Sequence, residues 1–291
     1  MELEDILKQI YPDEDHENCL SGVVSSIGQM LINGSDFLKI KKVTPAGSLG
    51  KKTLLKGHLE VDCVYILEHN MNVYSYDDYY WEVKRVLQET FLKGKQFVEK
   101  KMPCLSFVLE KRIGNVSVDL FPAYEINSPY QMMEVKNRKA YYGSTSLLQK
   151  KYFKNVVHNY QRFSDLVRLL KLWRNTRNIP LSSYMLELIA SNAIYDTRIG
   201  EDFSFYLEVC FRTIQSFSDG RKIVPVYWED YYDNSDLVFG YSRSDLWIMD
   251  PSDPSENIVK EKTEEEKHII NSEAIYGVSK LRSNNYSFLY Q

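Results

Sequence analysis

The sequence is poor in everything that holds a chain together other than a packed core. Its four cysteines, Cys19, Cys63, Cys104 and Cys210, lie at least 41 positions apart. No C-x-x-C pair or Cys/His knot is therefore available for zinc, and unbridged thiols are the expected state. Thirteen glycines and nine prolines in 291 residues exclude collagen-like and low-complexity architectures. No apolar run approaches the roughly 18 residues that cross a bilayer. The opening MELEDILKQIYPDEDHEN lacks the basic-then-apolar order of a signal peptide, so no membrane partner and a cytoplasmic location are expected. Neither a repeat of 20–50 residues nor a Gly/Ser/Pro linker is visible, and any domains must be packed together.

What is present is the composition of a globular protein: 44% hydrophobic, 13% aromatic and 26% charged residues, with a formal net charge of −4. The charge is uneven. Residues 101–200 carry 15 Lys and Arg against 7 Asp and Glu, whereas residues 201–291 carry 9 against 17. A basic middle suits a polyanionic ligand, although a solvated helix face has the same composition.

Periodicity predicts a helix over 17–32, strands over 42–46 and 59–67, and a helix over 79–92 whose face carries Trp81, Val83, Val86, Leu87 and Phe91. The acids of Tyr76-Asp77-Asp78 suit that helix's start. Strands over 104–110 and 116–122 form a hairpin around Ile113-Gly114-Asn115, after which the sheet should end. Helices follow over 147–160, 163–175, 182–195 and 203–217, the third entered through Pro180-Leu181-Ser182-Ser183, where a hydroxyl can cap. A short strand over 246–249 runs into a turn over 250–254, and EKTEEEK at 261–267 opens a polar terminal helix. Strands first and helices afterwards describe an α+β chain.

The chemistry concentrates in VTPAGSLGKKTLLKGHLEVDCVYIL, residues 43–67. Glu60 and Asp62 are two apart in a strand and so share one face, while Val61, Cys63 and Tyr65 take the other. Two carboxylates on one patch repel, and burying either unpaired costs several kcal/mol or forces it to take up a proton. A divalent cation removes the conflict, and hard oxygen ligands suit Mg²⁺, with Mn²⁺ as the alternative. A third acid, Asp119, sits among Val116, Val118, Leu120 and Phe121 and needs a partner for the same reason. If its strand lies beside 59–67, the three acids can hold two ions suited to displacement at phosphorus. Gly47-Ser48 supplies a bend where phosphate can approach backbone N–H groups and a hydroxyl. His58 shares the acids' neighbourhood but is left out of the metal set, since Mg²⁺ does not favour imidazole. Lys51, Lys52 and Lys56 read as solvated.

The run GSLGKKTLLKGHLEVD resembles the nucleotidyltransferase signature of the polymerase-beta-like superfamily. It is especially similar to the oligoadenylate synthetases and the cyclic GMP-AMP synthase-like enzymes, among them the bacterial anti-phage cyclic-oligonucleotide synthases. Leu169-Leu170-Lys171-Leu172-Trp173 is similar to that group's helix with a phosphate-binding lysine, and Ser182-Ser183-Tyr184-Met185-Leu186-Glu187-Leu188 to its helix whose serine touches triphosphate and whose tyrosine stacks on a base. Trp247 to Pro254 resembles the late DP-x-DP turn of the oligoadenylate synthetases. Glu60 stands where those enzymes carry aspartate, but cyclic GMP-AMP synthase uses glutamate there. No Cys/His cluster matches a zinc thumb.

The resemblance implies a nucleotidyltransferase lobe over residues 1–143, N-terminal helix included, packed on a helical lobe over 144–291 with a nucleotide cleft between them. It implies Glu60, Asp62 and Asp119 as metal ligands and Gly47, Ser48, Lys171, Ser183 and Tyr184 as nucleotide contacts; Arg168 and Arg174, three residues to either side of Lys171, read as a solvated face. The implied function is synthesis of a cyclic or linear oligonucleotide second messenger from ATP, GTP or other triphosphates in antiviral or anti-phage defence. One alternative is a 2'-5' oligoadenylate synthetase activated by double-stranded RNA, or a synthase activated by a protein. Another, of a different class, is a nucleotide sensor without turnover.

Overall fold

The computed structural model describes residues 2–68, 76–92, 100–101, 104–124, 134–137, 140–143, 146–195, 197, 202–226, 246–251, 253–259 and 261–291. The chain divides into two compact units, residues 12–153 and residues 1–11 with 154–291. The first helix, α1 (Leu3–Ile10), therefore belongs to the second unit, unlike the expected grouping of all residues before 144.

In the unit of residues 12–153, α2 (Glu14–Gly34) starts at Asp13, whose carboxylate caps the His16 N–H. The strand β1 (Ile40–Pro45) leads into one helical turn, α3 (Gly47–Gly50), and then into β2 (Glu60–Leu67). The helix α4 (Tyr76–Leu87) ends in a π-helical turn over Gln88–Leu92. A two-residue strand, β3 (Lys100–Lys101), precedes the hairpin of β4 (Cys104–Lys111) and β5 (Gly114–Tyr124). That hairpin turns at Arg112-Ile113, one position earlier than expected, because Gly114 is already paired with Lys111 and takes the positive φ of 124°. The five strands order as β1-β2-β5-β4-β3, with β2 and β5 parallel and the other pairs antiparallel.

One face of this sheet is covered by α2 and α4. Leu20, Val24, Ile27 and Leu31 pack with Val83, Val86 and Leu87 against Val61, Cys63, Tyr65, Phe107, Val116, Val118 and Leu120. Trp81 is 60% exposed and corrects the expected apolar face of α4. Tyr79 and Tyr80 complete the stripe with Val83, Val86 and Leu87, and Trp81 lies roughly 200° around the helix from Tyr79. Phe91's side chain lies outside the described residues. A small further hairpin, β6 (Glu134–Asn137) with β7 (Ala140–Gly143), follows where the sheet was expected to end.

The remaining helices match their predicted spans closely: α5 (Ser146–Asn159), α6 (Phe163–Arg177), α7 (Ser183–Tyr195) and α8 (Phe203–Ser218). In the second unit, the apolar sides of α6 and α8 meet through Trp173 and Phe211, whose rings pack edge to face at 4.9 Å. The hydroxyl of Ser182 accepts the Met185 N–H at 3.1 Å, which is the predicted cap of α7. The strand β8 (Met249–Asp250) pairs antiparallel with β9 (Asp253–Asn257), Asp250 opposite Asp253. The expected turn over 250–254 is thus shorter. Pro254 sits in a two-stranded ribbon, where a missing N–H is tolerated. The polar helix α9 (Glu264–Arg282) opens with a reciprocal capping box between Thr263 and Glu266. Against α6, α1 is held by the Tyr11 hydroxyl, which donates to Asp165, and by the Arg162–Glu4 pair. No helix among the described residues is long and apolar enough to cross a membrane.

Candidate active site

The parallel pairing of β2 with β5 sets Asp62 in register with Asp119, and the antiparallel pairing of β4 with β5 sets Ser106 opposite Asp119. Glu60, two residues before Asp62, shares its face of the sheet, while Val61 and Cys63 enter the core below α2 and α4. The three predicted acids therefore meet on one patch of residues 12–153. Each carboxylate has a distinct setting. Ser106, itself buried, donates its hydroxyl to Asp119 Oδ1. Glu60 is exposed, and its Oε2 lies 2.9 Å from Nε2 of His58. Asp62 is the most enclosed: burial, then the charges of Glu60 and Asp119, push its pKa from the ordinary 3.8 to about 6, with Lys51 and His58 opposing.

That repulsion is the observation that tests the site for a cation. Three acids drawn together by strand register, with one pushed towards neutrality by burial and by the others, fit a divalent ion bound through oxygen ligands. Among the described residues no three His, Cys, Asp or Glu groups already converge on a single point. Glu60 turns one oxygen to His58 and Asp119 one oxygen to Ser106, which accounts for this.

Gly47 stands against Asp62. A Cβ placed on Gly47 would fall 1.7 Å from Asp62 Oδ2, and the residue holds φ +48°. The glycine expected to admit phosphate thus first admits a carboxylate. The Ala46 N–H donates to the Asp62 carbonyl at 2.8 Å, fixing the turn over the strand. As the first residues of a helical turn, Gly47, Ser48 and Leu49 have N–H groups with no backbone partner among the described residues. Gly47→Ala is expected to slow any metal-dependent turnover at these acids about 100-fold by displacing the Asp62 carboxylate. Gly57→Ala is the control: it shares positive φ (+78°) but meets nothing within 4 Å. Equal rates for the two variants would show that backbone strain alone accounts for the loss.

In residues 154–291 the structure departs from expectation at Lys171. Its ammonium lies 3.0 Å from Glu187 Oε1 on α7, with side-chain exposures of 4% and 2%. The lysine expected to contact a triphosphate is enclosed in a buried ion pair with an acid. Glu187 gave a signal that was not used: an acid in the apolar run Met185-Leu186-Glu187-Leu188-Ile189 needs a cation as much as Asp119 does. Arg168 is also buried and pairs with Asp165 at 3.3 Å, and Arg174 Nη1 donates to the Ser183 hydroxyl at 2.9 Å; neither forms the solvated face expected. Tyr184 donates its hydroxyl to buried Asp250 at 2.9 Å, which ties the predicted base-stacking ring to the Asp250-Pro251 turn.

Comparison with known proteins identifies the family and the fold. The family model for 2'-5'-oligoadenylate synthetase 1, domain 2, C-terminus matches residues 126–287, more than half of the chain. Bovine 2'-5'-oligoadenylate synthase 2 is 24% identical over 294 residues, covering 89% of this chain and 40% of the bovine protein. The chain thus spans about two-fifths of that relative's length. The CBASS oligonucleotide cyclase CdnC of Escherichia coli strain KTE188 is 24% identical over 260 residues, covering 81% of this chain and 74% of its own. Among solved structures, E. coli MS115-1 CdnC with ATP superposes with a TM-score of 0.74 at 18% identity, covering 98% of this chain and 96% of that one. The Cid1 poly(U) polymerase bound to MgATP superposes with a TM-score of 0.71 at 17% identity, covering 99% and 97%. The fold is thus the mixed α+β fold of polymerase-beta-like nucleotidyltransferases, and the chain belongs to the 2'-5'-oligoadenylate synthetase family.

Proposed function

We propose that the chain is a divalent-metal-dependent nucleotidyltransferase that makes a cyclic or linear oligonucleotide second messenger in antiviral or anti-phage defence. The observation that carries this reading is the register of Asp62 with Asp119, with Glu60 on the same face and Gly47 packed on the Asp62 carboxylate. In the proposed reaction a ribose hydroxyl attacks the α-phosphorus of a nucleoside triphosphate. The bond from that phosphorus to the bridging oxygen breaks, and pyrophosphate leaves. Mg²⁺ bound by the three acids, as two ions, supplies charge neutralisation and an acidified hydroxyl.

The chain's own residues position and orient. Asp119 is held by Ser106 and Glu60 by His58, each through one oxygen. The N–H groups of Gly47 and Ser48, with the Ser48 hydroxyl, are assigned to phosphate oxygens. Ser183 is assigned to the triphosphate and Tyr184 to the base. No side-chain nucleophile takes part; positioning and electrostatics account for the rate. CdnC has been solved in a complex with a HORMA protein, and a protein activator, or double-stranded RNA, is the corresponding proposal for this chain.

The test is incubation of the full chain with four labelled triphosphates and Mg²⁺, with and without duplex RNA. Products longer than a mononucleotide, together with pyrophosphate, are expected. Release of pyrophosphate only when RNA is added would select the RNA-activated synthetase, and tight nucleotide binding with no product in either arm would select the sensor.

A further inference from the structure

The cations along α6 are paired with carboxylates in a regular way. Arg162, just before the helix, meets Glu4 at 2.8 Å and Asp165 at 3.2 Å. Arg168 meets Asp165 at 3.3 Å, Lys171 meets Glu187 at 3.0 Å and Arg177 meets Glu273 at 2.8 Å. Arg174 breaks the series. Its Nε and Nη2 donate to the side-chain oxygen of Asn175 at 3.0 and 2.7 Å, and its Nη1 to Ser183 Oγ at 2.9 Å and the Leu181 carbonyl at 3.4 Å. All of these acceptors are neutral, and among the described residues no carboxylate lies within ion-pair distance of it. Glu187 acts on it only at longer range, and burial lowers its pKa.

Withdrawing a guanidinium from water with no counter-charge in contact is unfavourable, and an anion arriving from solution would reverse that. The donors are set up for one. A guanidinium has five N–H groups, and one of those on Nη2 remains unused. Ser183 accepts from Arg174, so its own hydroxyl proton is left to donate. Two donors therefore stand side by side at the entry of α7.

We propose that Arg174 is a further cation that binds the triphosphate at Ser183 and so selects triphosphates over monophosphates. This rests on the reading that Ser183 contacts triphosphate. A planar guanidinium matches phosphate oxygens in a way that an ammonium does not.

Binding, not turnover, tests it, so no activator is needed. The full chain is titrated calorimetrically in Mg²⁺ with α,β-methylene analogues of the four nucleoside triphosphates and with the matching monophosphates. Arg174→Ala is expected to weaken the best-bound triphosphate by about 10- to 100-fold and the monophosphate by less than about twofold, with Arg174→Lys in between. Because no ion pair is broken, the melting temperatures should stay near that of the wild type; Arg174→Gln, which keeps the packing, replaces any variant that melts early. Triphosphate affinity within about twofold of wild type, or equal losses for both ligands, overturns the proposal. If the wild-type chain binds no triphosphate analogue, the functional reading itself fails and takes the proposal with it.

Discussion

Asp62→Asn is expected to lower nucleotide incorporation by about 10³-fold while making the metal-free protein more stable at pH 7. The two effects have one cause. Burial, Glu60 and Asp119 raise the Asp62 pKa from 3.8 to about 6, so between these values the folded state holds a proton that the unfolded chain has lost. Stability of the metal-free wild type therefore falls as pH rises from about 4 to about 6 and stays lower above that, by about 3 kcal/mol. Asparagine has no charge to bury and removes this slope. Divalent cation restores the wild type by binding the folded state and does little for the variant. Thermal melts from pH 4 to pH 8, with and without Mg²⁺, read both halves. A variant that melts below the metal-free wild type at pH 7, or that Mg²⁺ stabilises equally, would refute the carboxylate cage.

The site was legible in the sequence where a charged residue sits in an apolar strand. Glu60 and Asp62 alternate against Val61 and Cys63, and that alternation alone put both on one face; Asp119, set among valines and leucines, announced its need for a partner. The strand pairing that brings Asp119 to Asp62 is not legible locally, because register between strands more than 50 residues apart depends on the whole sheet. The four helices α5 to α8 were legible because their apolar periodicity is continuous and one of their ends carries a strong local signal, the Ser182 cap.

What was not legible depended on partners distant in sequence. The docking of α1 on α6 rests on Tyr11 with Asp165, 154 residues apart, and nothing local in MELEDILKQIY foretells it. Trp81 looked like core because it is apolar, yet the helix had two tyrosines better placed for the stripe. A tyrosine counts as apolar for packing and polar at its tip, so a periodicity count undervalues it. The pairing of Lys171 with Glu187 spans two helices, and a lysine matched to a binding motif reads as a ligand until the acid opposite it is seen.

That pair gives the second large effect. Lys171→Met is expected to destabilise the protein by about 3–5 kcal/mol, because it strands the Glu187 carboxylate in an interior with 2% side-chain exposure. Lys171→Met combined with Glu187→Leu should recover most of the loss, since two apolar side chains of similar volume need no desolvation of charge. Chemical denaturation of the two variants reads this directly. Triphosphate affinity of the refolding-competent double variant then separates the roles the sequence could not. If the lysine serves packing, affinity returns with the fold, and the anion is held by Arg174 and Ser183. If affinity stays low in a double variant as stable as the wild type, the ammonium must leave Glu187 to meet phosphate, and the ion pair is the resting state of a ligand.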